Sequence, residues 1–178
     1  KKSKLPKADK KFQQINFINT PIDNFIAEKL DQNNLLPNEE APKNILARRV
    51  AFDITGLPPN EKLFELYINK EISYENFVDS LLSSKSYGEK WASWWLDLAR
   101  YADTKGYEAD LGRLIWKYRD WVINALNDDM PFDEFTINQL AGDLIENPGV
   151  DNYVATGFHR NTMTNNEGGT PNEEYRVA

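Results

Sequence analysis

The chain has no cysteine, a single histidine and two methionines among 178 residues. Without cysteine it forms no disulfide, offers no thiolate to a metal and attaches no haem covalently within this stretch. The same absence leaves the redox compartment unread. No apolar run approaches the roughly 18 residues that a membrane span requires. The opening Lys-Lys-Ser-Lys-Leu-Pro-Lys lacks the apolar centre of a signal peptide, so any export signal or anchor is expected outside these residues. Period-two alternation bounded by turn residues is also missing, which argues against a sheet. Nor does the chain contain a Gly-rich phosphate loop, a serine-hydrolase elbow or a His-Glu-x-x-His zinc motif, and nothing in it identifies a nucleophile.

What is present is aromatic and acidic. Five Trp, eight Tyr and nine Phe within a 40% hydrophobic composition are enough to bury one sizeable core, against a net charge of -7. Nucleic acid is a poor partner for that charge. The basic residues are uneven: residues 1–11 carry six lysines and one aspartate. Residues 1–20 therefore read as a basic, solvated linker or arm, and 21–178 as one helical domain.

From Pro21 onward the apolar spacing is helical, which predicts an all-α domain of seven to eight helices. Thr20 and Pro21 open the first, which fades near Asn33. The second spans about 42–55 and is closed by Gly56 and Pro58. Asn60 and Ser73 cap the third and fourth. In the fifth, from a Ser86/Glu89 capping box to about Thr104, Trp91, Trp94, Trp95, Leu98 and Ala102 share one arc of about 100°. That stripe is either core or a stacking platform for sugars or a cofactor. The sixth, about 113–127, is apolar over most of its circumference and carries Arg119 inside the apolar arc, with Arg113, Lys117 and Asp120 on the polar side. A buried guanidinium needs a carboxylate, and Asp97, Asp103 and Glu167 are the expected partners, in a structural ion pair or an anionic site. Asp133 is expected to cap a seventh helix running to Ile145, and a short one follows at about 152–158. Trp91, Trp95, Leu98, Trp121, Val122 and Leu140 are the expected core.

Site-like chemistry gathers at the end of the chain. His159 is followed by a polar loop over 161–170, then by Thr170, Pro171 and Glu173, the signature of a helix start. The chain thus reads as truncated at its C-terminal end. His159 suits a metal ligand, an axial haem ligand, a general base or a hydrogen-bonded structural role. Asn161, Asn165, Asn166 and Glu167 offer oxygens of the kind calcium takes, although their spacing is not that of an EF-hand.

Five blocks then carry a resemblance. They are Pro-Ile-Asp-Asn-Phe-Ile (21–26), Arg-Arg-Val-Ala-Phe-Asp-Ile-Thr-Gly-Leu-Pro-Pro (48–59), the tryptophan-rich 87–103, Tyr-Arg-Asp-Trp-Val (118–122) with Gln-Leu-Ala-Gly-Asp-Leu (139–144), and Ala-Thr-Gly-Phe-His-Arg-Asn (155–161) with Glu-Gly-Gly-Thr (167–170). In this order they resemble the planctomycete-type, cytochrome-associated domain of unknown function over about 21–178. The resemblance implies an exported, extracytoplasmic protein that continues to a Cys-x-x-Cys-His haem-attachment motif, so that c-type haem belongs to the longer protein and no cofactor to this chain. It also implies a polysaccharide-utilisation context. The first functional expectation is redox-linked: a scaffold packed against the remainder of its own longer chain or an electron-transfer partner, with His159, Arg160 or Arg119 lining the haem environment. The second is a carbohydrate-directed enzyme or binding module using Asp97, Asp103, Glu108 or Glu167, and the third is a structural or interaction domain.

Overall fold

A computed structural model of the chain describes residues 4–106 and 110–163. Glu108, Asn165, Asn166, Glu167 and the helix expected after Thr170 lie outside the described residues. The chain divides into two compact units, Lys1–Pro42 and Lys43–Ala178.

The first unit holds α1 (Lys10–Gln14) and α2 (Pro21–Gln32). Part of the expected arm is therefore helical. Asp9 caps α1 by accepting the Lys11 amide at 2.9 Å, and Phe12 is fully buried with its ring 6.0 Å from that of Phe17. Five residues are too few for apolar spacing to reveal such a helix. α2 starts where the sequence places it. The amide bonds from Thr20 and Asn19 to the Asp23 carboxylate, at 2.6 and 2.9 Å, hold that carboxyl below its usual range.

The second unit contains α3 (Lys43–Thr55), α4 (Glu61–Ile68), α5 (Tyr74–Leu82), α6 (Lys85–Leu98), α7 (Trp116–Asn127), α8 (Phe132–Ala141) and α9 (Val150–Ala155), with 3₁₀ turns at Gly142–Leu144 and Thr156–Asn161. No strand occurs among the described residues; Thr104 and Gly112 form one isolated antiparallel bridge. The all-α expectation holds. Asn60 and Ser73 cap α4 and α5 by accepting the amides of Lys62 and Asn76 at 3.0 and 3.2 Å. Gly56 closes α3 in the left-handed region at φ +73°.

Two apolar clusters organise this unit. Ala47, Ala51, Tyr67, Phe77 and Leu81 join α3, α4 and α5, with Tyr67 stacked on Phe77 at 4.8 Å. The other gathers residues of α6 to α9 around Tyr118, Trp121, Val122 and Phe135. Trp121 lies nearly parallel to Tyr118 and Phe135, at 6.5 and 5.3 Å, and burial of each such ring is worth about 1.5–3 kcal/mol. α6 links the clusters. Lys90 donates to the carbonyls of Phe52 and Asp53 at the C-terminal end of α3, and the Trp91 indole donates to Ile54 at 3.1 Å. A cation among orphan carbonyls suits both their hydrogen bonding and the helix dipole.

The face that α6 buries differs from the tryptophan stripe. Gly88 and Ala92 are buried, whereas Trp94 is 62% exposed, Leu98 is 79% exposed and Trp91 and Trp95 are half-buried. The reason is close approach: a Cβ on Gly88 would lie 2.5 Å from the Ile123 carbonyl of α7. Small residues bring the two helices together and the indoles flank the seam. α6 also ends at Leu98 instead of reaching Thr104. Arg100 takes the left-handed conformation, at φ +56°, and the Tyr101 amide bonds back to the Leu96 carbonyl at 2.8 Å. This stop uses a residue other than glycine and so carries no punctuation in the sequence. Leu140, expected in the core, is 54% exposed on α8, and α8 begins after Pro131, one residue before Asp133.

Candidate functional site

The site-bearing segments meet beyond the left-handed turn at Arg100. The chain runs out through 101–106 and returns by Asp110, the return being pinned by amide bonds from Lys105 to the Leu111 carbonyl (3.0 Å) and from Arg113 to the Asp103 carbonyl (2.8 Å). Arg113 then reaches three main-chain oxygens. Its Nε donates to Ala102 at 3.0 Å, and its Nη1 donates to Arg160 at 2.6 Å and Thr162 at 3.1 Å. One guanidinium thus ties the terminal 3₁₀ turn to the loop that follows α6, satisfying carbonyls that no helix pairs. Sequence reasoning assigned Arg113 to a polar face. Its position just after Gly112 gave no signal of this role.

Arg119 is not buried. Its side chain is 40% exposed and bonds Asp120 Oδ1 through Nε and Nη2, both at 3.2 Å. The expected partner Asp103 interacts electrostatically with it, as do Tyr101 and Asp120. Asp97 makes no ion pair among the described residues. Asp103 instead accepts the Tyr101 hydroxyl at 2.6 Å. Burial, then that hydrogen bond and the Asp103 charge, push the Tyr101 hydroxyl up to about 12, with Arg119 opposing. Burial pushes the Tyr118 hydroxyl up to about 12 as well, against the bond donated by Trp95.

These shifts give an alkaline prediction with a definite sign. Unfolded tyrosines ionise near pH 10 and these two near 12, so the folded state keeps protons that the unfolded state releases. Their contribution is fully present below about pH 10 and is lost as pH rises towards 12. Urea unfolding followed by circular dichroism is expected to give a lower midpoint at about pH 11 than at about pH 9. Equal midpoints contradict the assignment.

His159 is exposed, and its Nε2 lies 3.2 Å from the Leu140 carbonyl oxygen, a contact that places the ring proton on Nε2. Leu140 is in the last turn of α8, where carbonyls lack helical partners, so the histidine closes a helix end. Phe158 meets the ring edge-on at 5.7 Å. Arg160 is exposed, and its guanidinium has no ion pair among the described residues. Asn161 is 4% exposed, and neither side-chain amide atom has a hydrogen-bond partner among the described residues. Such a residue costs roughly 1–3 kcal/mol unless something satisfies it. The turn therefore assembles His159, Arg160 and Asn161 beside Arg113. Arg119, Tyr101, Asp103 and Asp120 form a separate polar cluster, and Asp97 joins neither. No group of three or more His, Asp or Glu side chains placed to hold a metal occurs among the described residues, and no helix there is long and apolar enough to cross a membrane.

Among the described residues, three grooves open on the α6–α9 body. One, of about 670 Å³, is floored by Ile115, Tyr118 and Gly157 and bordered by Lys117 and Arg160. Another, of about 430 Å³, puts Trp116 beside Asn124 and the carboxylates of Asp120, Asp128, Glu134 and Asp151. The third, of about 340 Å³, is apolar and aromatic, with Trp91, Trp94, Leu98 and Phe132 among its walls. Neither Asp97 nor Asp103 lines any of the three.

Comparison with curated proteins and with solved structures gives no match. A family match spans residues 21–178, from α2 through the terminal turn and on to the last residue of the chain. The chain belongs to the PSCyt2 family, described as protein of unknown function (DUF1549).

Proposed function

We propose that this domain is the helical scaffold of an extracytoplasmic, c-type-cytochrome-like protein, and that its aromatic face packs against the remainder of its own longer chain. The observation that carries this reading is the exposure of Trp94 (62%), Leu98 (79%) and Phe132 (71%) around one apolar groove. Apolar surface gathered in this way is characteristic of an interaction surface. A haem in the longer protein would supply one-electron transfer.

The residues present fit contact with a haem better than its attachment. There is no cysteine for thioether bonds, and Nε2 of His159 is engaged by the Leu140 carbonyl. Arg119 is occupied by Asp120. Arg160, with its main chain held by Arg113 and its guanidinium in no ion pair among the described residues, is the side chain of the three that remains available to a propionate. Calcium at Asn165 and Glu167 remains part of the proposal on chemical grounds, since their oxygens are hard donors. A carbohydrate-binding reading is favoured by a different observation, the 430 Å³ groove in which Trp116 stands beside amides and carboxylates suited to sugar hydroxyls.

Iodide quenching of tryptophan emission tests the first reading, comparing each protein with its Trp94→Phe variant. The Trp94 component is expected to be quenched freely in this chain and shielded in the haem-bearing full-length protein. Equal quenching in both would remove the aromatic face from the interface. Emission spectra of this chain with soluble polysaccharides read the alternative: a shift that disappears in Trp116→Phe supports it, and no shift counts against it.

A further inference from the structure

The 670 Å³ groove between the start of α7 and the terminal 3₁₀ turn combines two features, exposed apolar walls and charge of one sign. Its walls are apolar and unusually exposed: Leu114 is 87%, Val150 76%, Tyr153 55% and Trp116 46% accessible. Among the described residues its charged members are both cations, Lys117 and Arg160, and no carboxylate of those residues lines it. This occurs on a chain with net charge -7. Neither cation makes an ion pair among the described residues.

The cations are differently prepared. Arg160 has its main chain fixed, because Arg113 holds the carbonyls of Arg160 and Thr162 at 2.6 and 3.1 Å. Its guanidinium, in no ion pair among the described residues, offers the fork that carboxylates and sulfonates accept. Lys117 Nζ lies 5.9 Å from the centre of the Trp116 ring, over an aromatic wall of the groove. α7 also begins here without a side-chain cap and with no acid in its first turn, so the positive end of its dipole adds to the same sign. The floor is tight. A Cβ on Gly157 would come 3.0 Å from Tyr118 Cβ, so the turn rests directly on a ring that is 1% exposed. The volume lies within the range of small-molecule sites.

From these observations we infer that this groove binds an amphipathic organic anion, an aromatic body carrying a carboxylate or sulfonate, with Arg160 and Lys117 taking the charge and Trp116 and Tyr153 the rings. The neighbouring groove shares Trp116 and Lys117 but adds the carboxylates of Asp120, Asp128, Glu134 and Asp151, which repel such a ligand. The apolar groove at Trp94 offers it no cation. Charge complementarity therefore selects one groove of the three. The inference does not depend on the haem-linked reading, since it concerns this chain in the absence of haem.

The test uses the 178-residue chain with 8-anilinonaphthalene-1-sulfonate and its uncharged analogue N-phenyl-1-naphthylamine, both followed by fluorescence. Lys117→Gln combined with Arg160→Gln is expected to weaken the sulfonate about tenfold and to leave the neutral probe unchanged, with the sulfonate's affinity also falling as salt rises. Trp94→Ala is expected to affect sulfonate binding by less than about twofold. In the unsubstituted chain, the sulfonate is expected to shift the amide resonances of Gly157 and Tyr153, a readout that involves no substitution. Sulfonate affinity that is indifferent to removal of both cations, or that is lost with Trp94, would overturn the inference. So would resonance shifts confined to α6.

Discussion

Replacing Gly88 with alanine is expected to destabilise the domain by about 2–4 kcal/mol, although alanine is the better helix former by roughly 1 kcal/mol. The added Cβ would stand 2.5 Å from the Ile123 carbonyl oxygen and 2.5 Å from Asn127 Cγ. Neither can yield easily. Ile123 presents backbone in the middle of α7, and the Asn127 amide is held on both sides, its oxygen accepting the Gly88 amide at 2.8 Å and its nitrogen donating to the Lys85 carbonyl at 3.2 Å. Asn127 thereby bonds both an amide and a carbonyl of the first turn of α6 from a different helix. Relief requires α6 and α7 to separate, which loosens Ala92 against the Tyr118 and Val122 cluster and breaks the Asn127 bonds together. Urea unfolding followed by circular dichroism measures the loss. A variant as stable as the parent would show that the helices do not meet backbone to backbone at this point.

That crossing also explains what the sequence could and could not announce. Helix existence was legible wherever a local signal encodes it. Asn60 and Ser73 place their side chains on the amides of Lys62 and Asn76, and Gly56 supplies the positive φ that its position after the periodic run demands. Ends written without glycine or proline were not legible. Arg100 adopts φ +56°, and nothing in a Leu-Ala-Arg-Tyr run distinguishes that turn from another step of helix. The buried face of α6 was misread for a related reason. Periodicity weighs bulk, so five apolar residues in one arc read as core, whereas Gly88 and Ala92 allow the closest approach and therefore occupy the seam. Trp94 and Leu98 are consequently left outward.

The site was partly legible. His159 and Arg160 lie on a turn anchored to the α6–α9 body, while most of the polar run after them lies outside the described residues. The anchor is Arg113, two of whose three carbonyl contacts span 47 and 49 positions of sequence to Arg160 and Thr162, a separation no local pattern encodes. Arg119 was expected to be buried because helical projection placed it within an apolar arc. A long side chain can leave such an arc by extending its charged end to solvent, and Arg119 does so beside Asp120. Long-range pairing and side-chain reach are tertiary properties, which is why these two arginines exchanged roles.

Gln139→Leu is expected to cost about 2–3 kcal/mol, even though it exchanges a buried amide for a hydrocarbon of similar size. Gln139 is 2% exposed. Its Oε1 accepts the Tyr118 hydroxyl at 2.6 Å and the Trp95 indole at 2.8 Å, while its Nε2 donates to the Phe135 carbonyl at 3.1 Å. Three helices converge on that one side chain. With leucine in its place the indole keeps a contact with the Tyr118 oxygen at 3.2 Å, but the hydroxyl proton of a tyrosine that is 1% exposed has no acceptor. The unsatisfied donor dominates the cost, and this can be separated from packing by a double-mutant cycle. Adding Tyr118→Phe removes the stranded hydroxyl, so the pair is expected to be less destabilised than the sum of the two single variants by about 1–2 kcal/mol. Strict additivity would mean that the hydroxyl finds water or another partner when Gln139 is lost. Because Gly157 rests on the Tyr118 ring, the same single substitution is expected to weaken sulfonate binding in the neighbouring groove, and Tyr118→Phe in the Gln139→Leu background is expected to restore part of it by resettling that floor.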